Sequence, residues 1–194
     1  MRTRGAPVAV LAAALLMLAG CAPTPGTATE PVGDAGAAAG QSRPAAGKTG
    51  EPADGRADLP VPKVLSFTAD TLDGRRYEAA ALAGRPALLW FWAPWCATCA
   101  GQAPTVSELA GRYSDRLAVL GVAGLGDKAA MDEFVTDLEV GAVTHLNDQA
   151  GSVWRRFKVT EQSTFVLINR DGKVVHKGWL DSVDVTERVA ALVA

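Results

Sequence analysis

Beyond residue 59 the apolar positions fall into short runs separated by turn residues. Residues 64–69, then Thr71, Leu72, Asp73 and Gly74, then residues 75–78, predict a strand, a tight turn and a second strand: an N-terminal hairpin. Residues 87–93 are apolar without a break, too few for an ordinary helix and bracketed by Pro86 and Pro94, which predicts a buried central strand. Residues 97–113 carry Val106, Leu109 and Tyr113 at helical spacing, with Pro104 as an expected kink, and residues 117–123 are apolar again. Strand, helix, strand in that order predicts a parallel unit. Asp127 is placed to cap a helix carrying Met131, Phe134, Val135 and Leu138, and Asp148 a second one through Val153, Trp154 and Phe157. Residues 164–168, a turn over Asn169, Arg170, Asp171 and Gly172, and residues 173–179 predict a closing hairpin, with a last helix over 184–193.

The first 58 residues follow another pattern. Arg2 and Arg4 precede an apolar stretch from 8 to 18 and then small residues, the layout of a secretory signal, with an apolar run too short to span a bilayer comfortably. Leu18, Ala19, Gly20 and Cys21 look like a bacterial lipobox, in which the cysteine is lipidated and becomes the new N-terminus. Residues 1–20 are therefore expected to be a lipoprotein signal peptide. Residues 21–58, rich in Pro, Gly, Ala, Thr and Ser, are expected to form the lipidated Cys21 and a disordered tether. A flexible chain of that length spans roughly 30 to 35 Å. The folded domain is expected over 59–194.

Composition adds exclusions. The 194 residues are 48% hydrophobic, enough for one core, and 19 Lys and Arg against 21 Asp and Glu give a formal charge of -2 without a long run of either sign. No nucleic-acid partner is expected. The three cysteines form an odd set for an exported chain, but with Cys21 assigned to lipid the other two fall within one motif.

Cys96 and Cys99 are separated by two residues where the predicted strand hands over to the predicted helix. Backbone N–H groups and the positive end of the helix dipole favour a thiolate at Cys96, which makes it the attacking sulfur. Cys99, a turn further in, is the resolving thiol. A static disulfide closing so short a loop restricts the unfolded chain little. Half of a zinc site needs further ligands, and His145 and His176 stand at no recognisable spacing. Both histidines are expected at the surface or a sheet edge. Neither a metal nor a cofactor is expected. Of Trp90, Trp92, Trp95 and Trp154, strand alternation sends at least two into the core and leaves Trp95 as the one expected in the open.

The run Phe91-Trp92-Ala93-Pro94-Trp95-Cys96-Ala97-Thr98-Cys99 resembles the active-site segment of thioredoxin-like proteins, above all the secreted, redoxin-like DsbE/DsbF and TlpA/ResA group. The similarity runs over residues 67–193, including Pro104 and the strand from Thr164 to Ile168. It implies an α/β thioredoxin fold, a four- or five-stranded mixed sheet flanked by helices, here with the N-terminal hairpin as an extension. It also implies that the first cysteine attacks and the second resolves.

Three positions depart from that pattern. Ser163 stands where most relatives have a cis-proline; a cis bond before a non-proline costs about 2.5 to 4 kcal/mol, so a trans bond is expected, with the Ser163 hydroxyl free to face the sulfurs. Trp90 replaces a buried Asp of classical thioredoxins, and Gln102 a Glu of the TlpA/ResA group, and Gln102 cannot take a proton from the resolving thiol. Trp95, Gln102 and Ser163 are thus the expected supporting residues. The expected activity is thiol-disulfide exchange outside the cytoplasm, on cysteine-containing exported proteins, with the enzyme anchored to the cell membrane and recharged by a membrane redox partner. An oxidase or isomerase role is favoured over a reductase role in cytochrome c maturation, and a non-catalytic binding module is the rival of another class.

Overall fold

The computed structural model describes residues 60–194; the expected signal segment, Cys21 and the tether lie outside the described residues. A short hairpin, β1 (Thr68–Asp70) and β2 (Arg76–Glu78), forms its own two-stranded sheet beside a five-stranded one. The sheet is built from β3 (Ala87–Trp92), β4 (Ala118–Ala123), β5 (Thr144–Asn147), β6 (Thr164–Ile168) and β7 (Val174–Trp179), in the order β5-β4-β3-β6-β7. β3 runs parallel to β4, and β4 to β5; β6 is antiparallel to β3 and to β7. The helices are α1 (Ala97–Arg112), α2 (Lys128–Asp137), α3 (Ser152–Phe157) and α4 (Ser182–Val193).

β3 lies at the centre because all six of its side chains are buried, which only a strand covered on both faces can satisfy. Alternation divides them. Leu88, Trp90 and Trp92 face a layer with Val106 and Leu109 of α1, Phe134 of α2 and Val185 and Val189 of α4. Ala87, Leu89 and Phe91 face the opposite layer, with Val122, Val166 and the α3 residues Trp154 and Phe157. Burying each large side chain contributes about 1.5 to 3 kcal/mol, so β3 anchors both layers.

Caps fix where the helices begin. Asp127 accepts the Ala130 N–H at 2.9 Å and Asp181 the Asp184 N–H at 2.8 Å, each worth about 1 kcal/mol. Asp148 reaches further than a usual cap: its carboxylate, buried four residues before α3, accepts the N–H groups of Ser152, Val153 and Trp154 at 2.7, 2.9 and 2.8 Å. α1 runs on through Pro104, whose missing N–H leaves the Ala100 carbonyl without its intrahelical donor.

Four details differ from the sequence reading. Residues Lys63–Leu65 form a 3-10 turn, so the hairpin begins at Thr68 rather than 64. α4 starts at Ser182, two residues earlier than expected, because Asp181 supplies the cap. β5 carries too few apolar residues to be read as a strand. His145, on that edge strand, is buried and not at the surface, whereas His176 is half-buried on the other edge strand, β7.

Candidate active site

β3 ends at Trp92, and three residues later the chain turns into α1 with Cys96 as its N-cap residue. The Cys96 side chain takes the capping role that an Asp or Ser would fill: its Sγ accepts the Cys99 backbone N–H at 3.0 Å. Cys96 and Cys99 are joined by a disulfide with their Cα atoms 5.2 Å apart. Cys99 is wholly enclosed, while Cys96 retains 6% of its surface, so a partner can reach one sulfur of the bond and not the other.

Ser163, immediately ahead of β6, is brought opposite the pair because Thr164 is in register with Phe91 near the end of β3. Its Oγ lies 3.1 Å from Cys96 Sγ and 3.2 Å from Cys99 Sγ. A disulfide sulfur carries no proton, so the hydroxyl is the donor. Ser163 has a φ of 62°, in the left-handed region that a side chain other than glycine's adopts only at a cost, and the surrounding bonds hold it there.

Gln102, one turn beyond Cys99, is also buried. Its Oε1 accepts the indole N–H of Trp90 at 2.9 Å, and its Nε2 donates to the carbonyl oxygens of Ser163 at 3.2 Å and Leu180 at 3.4 Å. Trp95 projects at 61% exposure, and its indole N–H donates to the Leu125 carbonyl at 2.7 Å, which ties the loop after β4 to the rim of the site. A cleft of about 510 Å³ opens beside Cys96, between Trp95 and Phe134, with the carboxylates of Asp127, Glu133 and Asp137 along its far side. Trp95, Gln102 and Ser163 thus all gather at the pair.

His145, expected at the surface or a sheet edge, lies on the edge strand β5 but is buried against Trp92. Trp92 Nε1–H donates to its Nδ1 at 3.2 Å, and its Nε2 lies 3.1 Å from the Val140 carbonyl, so Nε2 carries the proton and the ring is neutral. Burial holds its pKa below the ordinary 6.5, and the bond to Val140 pulls the other way. The close approach of strands that creates this pocket needs Gly121, since a Cβ there would run into the His145 ring and the Trp92 indole. Among the described residues no three His, Cys, Asp or Glu side chains gather into a metal-binding group.

The chain resembles known proteins at this site and over the sheet. It is 41% identical over 108 residues to the soluble secreted antigen MPT53 of Mycobacterium tuberculosis, covering 56% of this chain and 61% of that protein. It is 26% identical over 113 residues to the thiol-disulfide oxidoreductase ResA of Bacillus cereus, covering 58% and 65%. The chain therefore spans less than two thirds of the length of these relatives. The solved structure of MTB DsbF, in mixed oxidised and reduced forms, superposes with a TM-score of 0.65 at 43% identity, covering 69% of this chain and 99% of that one. Since the AhpC/TSA family model matches residues 61–177, a stretch running from ahead of the hairpin through the Cys96 turn into β7, the chain belongs to the AhpC/TSA family and has a thioredoxin-like fold.

Proposed function

We propose that this domain exchanges disulfides with cysteine-containing exported proteins through Cys96 and Cys99, chiefly as an oxidase or isomerase. The observation that supports this reading best is the asymmetric pair at the head of α1: one sulfur reachable from a cleft, the other enclosed, and a backbone N–H aimed at the reachable one. A substrate thiolate attacks Cys96 Sγ and breaks the Cys96–Cys99 bond. The electron pair goes to Cys99, which takes up a proton, and a mixed disulfide forms. A second thiolate of the substrate then attacks the substrate sulfur bonded to Cys96, which forms the substrate disulfide and releases Cys96 as a thiolate, the form that the helix N-terminus favours. In the reverse direction Cys96 attacks and Cys99 resolves.

The likeness to ResA supports a reductase as the second reading, and the reduction potential of the pair separates the two. Oxidative refolding of a reduced, unfolded test protein is expected to be accelerated by the purified chain and to lose that acceleration in Cys96→Ser. Undiminished refolding by Cys96→Ser rules the reading out. We also propose, from the lipobox ending at Cys21, an extracytoplasmic protein held to the membrane by lipid and served there by a membrane redox partner. Cys21→Ala is expected to move it from the membrane fraction to the soluble one, and retention in the membrane fraction counts against the anchor.

A further inference from the structure

Trp90, Gln102 and Ser163, the three positions that depart from the thioredoxin-like pattern, are far apart in sequence and adjacent in space. The indole N–H of Trp90 occupies Gln102 Oε1, which fixes the orientation of the amide. Its Nε2 then meets the Ser163 carbonyl, and the Ser163 hydroxyl meets both sulfurs. The network is buried throughout, and every member is neutral. A relative with a carboxylate at position 90 or 102 would oppose a second negative charge beside it. Here nothing in the network does.

We propose that the Ser163 hydroxyl is a catalytic group that holds Cys96 as a thiolate in the reduced protein and so poises the pair as an oxidant of substrate dithiols. An uncharged disulfide sulfur is a weak acceptor, whereas a thiolate receives a charge-assisted hydrogen bond, roughly twice as strong. The hydroxyl therefore stabilises the reduced state more than the oxidised one, in the same direction as the Cys99 N–H that already donates to Cys96. A dithiol form stabilised in this way makes its disulfide a stronger oxidant. The reaction balances: the protein disulfide and two substrate thiols give a substrate disulfide, a Cys96 thiolate, a Cys99 thiol and one proton released to water. Two electrons pass from substrate to protein. The inference rests on the exchange reading above and names the group that sets its direction of electron flow.

Ser163→Ala and Ser163→Gly test it together. Both remove the hydroxyl, but glycine accepts the left-handed backbone freely and alanine does not, so a backbone effect separates them. Asp127, Glu133 and Asp137, the titratable groups facing the pair across the cleft from the start and body of α2, are the same in both variants. Equilibration with a glutathione buffer is expected to show each variant about tenfold less oxidising than wild type, about 30 mV lower in potential. The ultraviolet signal of the Cys96 thiolate is expected to appear at higher pH in each. Unchanged equilibria and titrations in both variants, or a shift in only one of them, overturn the proposal. Because the potential belongs to the pair itself, this result is independent of the refolding test with Cys96→Ser, which addresses the exchange reading alone.

Discussion

The two faces of the central sheet are built from the same strand and serve different ends. Toward α3, β3 offers Ala87, Leu89 and Phe91 to a layer of aliphatic and aromatic side chains in which the indole N–H of Trp154, bonded to the Val122 carbonyl at 3.3 Å, is the polar side-chain atom among the buried members. Toward α1, the same strand offers Leu88, Trp90 and Trp92 to a layer that also encloses the disulfide, Gln102, Ser163 and His145. Each of those polar groups has a partner within hydrogen-bond reach, as burial requires. The difference shows where chemistry can be housed: in a layer whose polar groups around the disulfide find partners, backed by one that carries mostly packing.

Two substitutions sharpen that contrast. The larger effect belongs to the apolar face. Trp154→Ala removes a ring packed edge-on against Phe91 at 5.7 Å and is expected to cost about 3 to 5 kcal/mol in denaturant unfolding, a large share of a typical domain's stability, while the reduction potential of the folded protein stays at its wild-type value. A changed potential would mean that the two faces are not separate. The smaller effect belongs to His145. Its folded pKa is depressed, so the stability it contributes is complete above the ordinary value of 6.5 and is lost as pH falls through that value and below, where the unfolded chain binds the proton more readily. Thermal midpoints measured between pH 8 and about pH 5 should therefore fall more steeply in wild type than in His145→Gln, by a few degrees at most over that range. Parallel slopes would show that the imidazole is not kept neutral by its surroundings.

Much of this was legible in the sequence. The unbroken apolar run of β3, the helical spacing of α1 and the turn residues of both hairpins are local signals, and the paired cysteines at a strand-to-helix junction marked the candidate site. β5 was not legible: four residues with His145 and Asn147 among them show no apolar period, and the strand exists because β4 pairs with it. The burial of His145 depends on Trp92, which lies 53 positions away. Gln102 and Ser163 could be singled out by what they replace, but not their connection, since 61 residues separate them and 12 separate Trp90 from Gln102. Nor does anything local in the sequence announce the left-handed backbone at Ser163.

The hairpin at the start of the domain has a consequence of another kind. The Leu72 N–H donates to the His145 carbonyl at 2.9 Å, and Thr71 forms an antiparallel bridge with Leu146, so the turn between β1 and β2 occupies part of the outer edge of β5. An edge strand with free donors and acceptors is a template for another chain, and under the proposed function cysteine-bearing substrate chains would reach this one. One border of the sheet is thus already filled by the molecule's own backbone. On β7, the other border, the cationic side chain of Lys177, the irregular pairing opposite Leu167 and Ile168, and Gly178 with its φ of 152° make a poor template for a visiting strand. Neither border invites another chain to become a sixth strand, so a substrate held through the proposed mixed disulfide would be held by its sulfur and not by strand pairing.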